Sequence, residues 1–374
     1  MQSVAVAWQI YELTGSAVDL GLIGLMQFVP RVALISLAGN AADRYDRRRV
    51  VLLAQGVQSI ALLTLTLASL NHGVSRGLVF ALMVVTGAAR SFEMPATQAL
   101  LPALVPREAL ARAVASSASA MQAATIVAPA LAGGLYVFGS DVVYALSTLL
   151  FALATGFTAS IRIRLAPRTV TGSAFEAFVE GLRFIRSQRA VLGAISLDLF
   201  AVLLGGATAL LPVIAHDVLA TGPWGLGLLR AAPAGGALAM SLWLARRPLK
   251  GAVGRTMFAA VAVFGCATIV FGVSRSFPLS MAALAILGAA DMISVVIRSA
   301  LVQLQTPDAL RGRVSAVNSV FIGASNQLGE FESGMTAAWF GAVPAIVIGG
   351  IGTLFVVGLW MRGFPDLARA DRLN

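Results

Sequence analysis

Apolar residues run through this chain in blocks of about twenty, separated by short stretches of polar residues, Gly and Pro. A block that long with almost no charge suits a helix crossing the hydrocarbon core of a bilayer, which takes ~20 residues. On this pattern residues 19–41, 50–70, 76–98, 113–138, 141–161, 190–213, 223–245, 256–274, 278–300, 314–338 and 341–361 are predicted spans. Residues 1–11 are apolar from the first position, with no basic lead of the signal-peptide kind. As a helix they reach only ~16 Å, about half of a bilayer core. We therefore expect a first span that is truncated here, its natural start lying upstream.

Two features of the polar blocks organise the spans. The longest, residues 162–189, contains Phe175, Phe178, Val179, Leu182 and Ile185 at helical spacing, with Glu176, Glu180, Arg183 and Arg186 on other faces. That pattern predicts an amphipathic helix on the inner membrane surface, or simply a helical connector. In addition, VPREALARAVAS (105–116) after the fourth span resembles TPDALRGRVSAV (306–317) after the tenth. A repeat of six spans is one way transporters are built. We expect an N-terminal transmembrane bundle over 1–161, a cytoplasmic linker over 162–189, and a C-terminal bundle with a short tail over 190–374.

Composition narrows the class. The chain of 374 residues is 58% hydrophobic and only 12% charged, half the charge of a soluble domain. A water-soluble enzyme and a disordered chain are excluded. The formal net charge is +10, and all but one of the 27 bases are Arg. In a soluble protein that excess would suggest nucleic acid. Here 21 of the bases fall in alternate connections and only Arg76 and Arg275 in the others. This alternation is the positive-inside pattern, so the basic connections are expected on the cytoplasmic side of an inner membrane, facing anionic headgroups. Nucleic acid is not an expected partner. Cys266 is the sole cysteine, and His72 and His216 are the only histidines. Internal disulfides and Cys- or His-rich metal sites are therefore not expected, and neither is any cofactor.

Short motifs then point to a family. The connection after the second span reads GNAADRYDRRR, Gly39 to Arg49. It resembles the loop signature of the major facilitator superfamily: Gly, three residues, Asp, a base, one residue, Gly, then several bases. Gly39, Asp43, Arg44, Arg47, Arg48 and Arg49 match, and Asp46 stands at the second Gly. A degenerate partner, ARRPLKGAVGR (245–255), follows the eighth span. In the fifth span ATIVAPALAGG (124–134) resembles the superfamily's antiporter motif, with Ala124 and Ala128 at glycine positions and Pro129, Gly133 and Gly134 matching. NQLGEFESG (326–334) resembles the enterobactin-exporter-like efflux branch. The resemblance implies an all-α membrane protein with the major facilitator fold, two six-helix bundles, alternating access and a monomer. It implies that Gly39, Asp43, Arg44 and Arg47 form a conformational latch. On physical grounds Gly39 would allow a close helix approach. A run of bases such as Arg48 and Arg49 is explained by topology alone.

Charges inside spans are costly, ~2.5–3.5 kcal/mol each at mid-helix, and are functional sites by default. Arg31, Arg90, Glu93, Asp198, Arg230, Asp291, Arg298, Glu330 and Glu332 are so placed. Arg90 and Glu93 are three apart and could pair with each other. Arg31 needs a partner on another helix. Asp291 and Arg298 share a face. Asp198, read as a lone buried carboxylate, is the first candidate for carrying a proton; the alternative is a static partner of Arg31 or Arg298. Of Glu330 and Glu332 at most one is expected to reach a cavity. The site expected along a substrate and proton path is thus Asp198, Arg31, Arg90, Glu93, Asp291, Arg298 and Glu330. No nucleophile–base pair is visible, so no enzyme is expected. The sequence reads as a secondary transporter, with proton-coupled efflux of an amphipathic small molecule first. An uptake carrier of the same fold, or a non-transporting membrane scaffold or sensor, are the alternatives.

Overall fold

The structure is a computed structural model, and it describes residues 1–161, 174–247, 251–308 and 310–368. Every regular element among them is a helix. Nine helices are long and apolar enough to cross a membrane. The chain forms two compact units, residues 1–15 with 22–174, and residues 16–21 with 175–374.

The first unit holds α1 (Gln2–Thr14), most of α2 (Ala17–Ala33), α3 (Ile35–Arg44), α4 (Arg47–Leu70), α5 (Arg76–Leu104), α6 (Arg107–Leu135) and α7 (Ser140–Ser160). α4 packs along both α5 and α7. Its buried side, Leu62 and Leu65, and Val79 and Met83 of α5 show the helical spacing that the sequence predicts. α1 ends at Gly15, whose left-handed φ of 60° lets its N–H reach back to the Tyr11 carbonyl.

The second unit holds α8 (Ala174–Ser187), α9 (Arg189–Leu204), α10 (Leu211–Val213), α11 (Pro223–Arg246), α12 (Val253–Val273), α13 (Phe277–Gln305), α14 (Arg311–Phe340), α15 (Ala342–Gly363) and α16 (Pro365–Ala368). Its main core joins Leu197 and Ala201 of α9, Met257 and Val261 of α12, Ile297 of α13 and Val356 of α15. α11 and α13 approach so closely that a Cβ on Gly288 would sit 1.9 Å from the Pro233 carbonyl oxygen. Only Gly fits there.

Three expectations change. The predicted span 19–41 is two helices, interrupted at Leu34 (φ −96°, ψ 2°) one turn beyond Pro30, whose ring strains the preceding turn. The span predicted over 190–213 stops as α-helix at Leu204 and continues as a short 3-10 turn (Ala207–Leu210), α10 and a π turn (Ile214–Val218). Gly206 marks the break: a Cβ there would lie 2.7 Å from the Gly329 carbonyl oxygen. Finally, the apolar face of α8 packs on protein. Phe178, Leu182 and Ile185 pack on Val191, Ile195, Val302, Val314 and Val317, and Arg313 pairs with Glu180. Residues 162–173 of the expected linker lie outside the described residues.

Candidate functional site

α9 and α13 of the second unit bring three of the expected charges together. Asp198 on α9 and Arg298 on α13 are both buried, and Arg298 Nη1 donates to Asp198 Oδ2 at 2.5 Å. Asp198 is therefore not a lone acid; it is half of a desolvated pair, which holds only if the geometry is good. Asp291, two turns before Arg298 on the same face, lies within electrostatic reach of both. Asp198, Asp291 and Ser294 line a cavity of about 10 Å³ closed by Val261 and Phe264. That is at the lower limit for one water. The Ser294 hydroxyl and the Arg298 Nε are buried with no hydrogen-bond partner among the described residues. Two carboxylates and one guanidinium in an apolar wall can exchange a proton and rearrange their pairing.

A second charge set in the same unit joins Arg230 of α11 and Glu330 of α14, which attract each other. Glu332 instead accepts from the Thr336 hydroxyl of its own helix at 2.7 Å.

In the first unit Arg90 and Glu93 do not pair directly. Glu93 accepts from Gln55 at 3.1 Å and from Gln58 at 2.6 Å. The Gln58 carbonyl oxygen in turn accepts from Arg90 at 3.4 Å, and Arg90 also reaches Gln27 of α2 at 3.4 Å. Three apart on α5, the two charges share a face, but Gln58 of α4 contacts both of them and Gln55 contacts Glu93. Arg31 lies close enough to Arg90 to repel it, and no acid partner for it is present among the described residues. Arg90, Ala128 and Ser147 also border a cavity of about 230 Å³ with Phe151.

The loop signature resolves into separate contacts. Arg44 is exposed at the end of α3, and a Cβ on Gly39 would meet nothing within 4 Å, so the close approach expected at that glycine is not made here. The side chain of Asp43 lies outside the described residues. Arg47 donates to the Ala99 carbonyl of α5 at 3.3 Å. Arg48 donates to the Thr158 carbonyl at 3.2 Å and to the Ala159 carbonyl, closing the C-terminus of α7. Asp46 caps α4 by accepting from the Arg48 N–H at 3.0 Å, which explains why it stands where the signature has Gly. In α6 the helix runs on through Pro129, Gly133 is buried, and a Cβ on Gly134 would meet open space.

Sequence reasoning missed the polar cluster of α1. Glu12 accepts from the Trp8 indole at 2.6 Å and from the Tyr136 hydroxyl at 3.0 Å, while the Tyr144 hydroxyl donates to Gln9 at 2.7 Å. The signal was there in Gln9 and Glu12, polar residues flanking the apolar start of the chain, but the tyrosines that meet them are more than a hundred positions away.

A two-unit, all-helical membrane protein with buried charges on facing helices is the arrangement of a multi-pass transporter of the major facilitator superfamily. A model of one family within it, described as transmembrane secretion effector, matches residues 1–371, and the chain belongs to that family. The enterobactin exporter EntS of Citrobacter koseri is 27% identical over 370 residues, spanning 98% of this chain and 88% of that protein. The multidrug efflux pump Tap of Mycobacterium tuberculosis is 27% identical over 344 residues, spanning 88% of this chain and 81% of the pump. In fold, the chain matches the crystal structure of a bacterial homologue of the human lysosomal transporter Spinster, in an inward-facing and occupied conformation. The TM-score is 0.75 at 14% identity, covering 97% of this chain and 93% of that one.

Proposed function

We propose that this transporter is a proton-coupled exporter of amphipathic small molecules, of drug or siderophore type, working by alternating access in the inner membrane as a monomer. In this reading residues 1–161 and 190–374 are its bundles, 162–189 their cytoplasmic connection, and the basic loops face the cytoplasm. Gly39, Asp43, Arg44 and Arg47 serve as the conformational latch, and Ala128, Pro129, Gly133 and Gly134 as the antiporter element. Export is supported by relatives named as an exporter and an efflux pump over most of the chain.

Proton coupling rests on one observation, the meeting of Asp198, Arg298 and Asp291 around a water-sized cavity. Two carboxylates and one guanidinium carry one net negative charge. A single proton neutralises the set, and a change in its charge state shifts which conformation and which ligand are favoured. The few embedded charges and the apolar surroundings suit an amphipathic substrate, with Arg31, Arg90, Glu93 and Glu330 the polar points along its path.

The test is reconstitution in proteoliposomes with an imposed pH gradient and a fluorescent amphipathic dye. Wild type is expected to move dye against its gradient, and Asp198→Asn and Asp291→Asn to lose that drive while still folding. Dye movement in both variants equal to wild type, with equal drug tolerance in cells, overturns the coupling.

A further inference from the structure

Arg31, Arg90 and Glu93 lie within electrostatic reach of one another in the first unit and together carry one net positive charge. Their surroundings keep the excess from cancelling. Both Glu93 oxygens are taken, one by the amide of Gln55 and one by that of Gln58. At Arg90 the repulsion from Arg31 outweighs the attraction of Glu93. The Arg90 guanidinium is loosely held. Its bonds from Nε to Gln58 and from Nη1 to Gln27 are each 3.4 Å long, beyond the ~2.7–3.2 Å usual for N–H donors. Its Nη2 makes no hydrogen bond among the described residues. An embedded positive charge in this condition is costly until an anion joins it.

Arg90 is also the charged wall of the cavity of about 230 Å³ between α1, α5, α6 and α7, and among the described residues no Asp or Glu lines it. Gln2 borders the same cavity. It is only 9% exposed, and its side-chain amide has no hydrogen-bond partner among the described residues. A buried amide left in this way costs free energy until something bonds to it. Leu150 and Phe151 of α7 give the cavity its apolar wall. The volume is below the ~300–1,000 Å³ that encloses a whole drug-sized molecule, so the cavity admits one end of a ligand.

We propose that this cavity receives the anionic end of the exported molecule, which makes the substrate an organic acid with an apolar body and not an organic cation. A guanidinium presents parallel N–H groups to a carboxylate or sulfonate. The Gln2 amide is a further donor in the same wall, and a cation would meet the repulsion that Arg31 and Arg90 already share. That the occupant is cargo rests on the export proposed above. The sign of its charge rests on Arg90, Gln2 and the acid-free wall.

The full chain in a neutral detergent is titrated with two fluorescent probes that differ only in charge, a dansyl group on a six-carbon chain ending in a carboxylate or in an amine. Binding is read by fluorescence anisotropy at pH 7, where both ends are ionised. Wild type is expected to bind the acid about tenfold or more tightly than the amine. Arg90→Gln should weaken the acid about tenfold, the contribution of one charged hydrogen bond, without weakening the amine. Glu93→Gln should act the other way and tighten the acid, because a nearby negative charge is lost while an amide oxygen still accepts from Gln55 and Gln58. A purely structural role for either residue would weaken both probes together. Inorganic sulfate at the concentration of the acid should not displace it.

Equal binding of the two probes by wild type overturns the proposal. So does an Arg90→Gln variant that melts as wild type does and keeps full affinity for the acid, or a folded Glu93→Gln that binds the acid more loosely. Displacement by sulfate would replace the organic acid with a simple anion and overturn it too. Dye movement in proteoliposomes is scored separately. Export of a neutral dye with no charge preference in binding would sink this site alone. A charge-selective cavity in a protein that moves no dye would sink the export reading and, with it, the assignment of the bound acid as cargo.

Discussion

Arg47, Arg48 and Arg49 are three consecutive bases with three different surroundings. The sequence shows a basic run, and a basic run is explained by topology; nothing in it announces that the middle residue closes the end of a helix more than a hundred positions away. Arg48→Ala removes two donors from the α7 terminus, so we expect a loss of about 1–2 kcal/mol. Hydrogen exchange should quicken at residues 157–161 and not at 140–145. The charged residues within spans were legible as a set, because any such charge stands out against apolar neighbours, but their pairings were legible only in part. Asp198 was read first as solitary, with Arg31 or Arg298 as the alternative partner, and the bond to Arg298 realises that alternative; Arg90 with Glu93 looked like a pair since helical spacing hides the intervening Gln58. Removing one member of the buried pair strands the other. Arg298→Leu should cost about 3–5 kcal/mol in detergent unfolding, and adding Asp198→Asn to it should recover most of that loss. Equal stability of the single and double variants would mean the pair is not formed.

At the scale of helices, length and apolarity were legible, and interruptions were not. Pro30 is visible, but Pro is common within spans and does not say where a helix will break. Gly205 and Gly206 are visible too. The meaning of Gly206 depends on Gly329 of α14 and that of Gly205 on Phe264 of α12, both of which approach from far along the chain. The same holds for α11 and α13. Gly288→Ala places a methyl against the Pro233 carbonyl and Gly236→Ala one against the Ala285 carbonyl. Each should lower the melting temperature sharply, because two helices must separate. Gly56→Ala, where a Cβ meets nothing within 4 Å in the middle of α4, should be neutral or stabilising by up to ~1 kcal/mol. For α8 the helical spacing was legible while the two readings, membrane surface or connector, stayed open: apolar residues at helical spacing mark a face to be buried, not what buries it. Gly181→Val drives a side chain into the Arg313 carbonyl and should release α8, read as new protease cleavage near residues 176–187.

At the scale of the whole chain, the alternation of basic and nearly base-free connections made the membrane class and the family legible together, since loop motif and charge pattern agree. It also sets a prediction of orientation. In a Cys266→Ser background, a cysteine at Gly73 should react with an impermeant maleimide on intact cells, and one at Gly312 should react only after permeabilisation. The reverse result would invert the direction assigned to transport. The buried bond between α9 and α13 has a consequence for biogenesis. Its two partners are separated by 100 residues of chain. At ordinary translation speeds α9 enters the bilayer about 5–20 s before α13 has been made. For that interval Asp198 carries its insertion penalty alone, and the nascent protein is most open to membrane proteases and chaperones until the ribosome delivers the arginine that settles it.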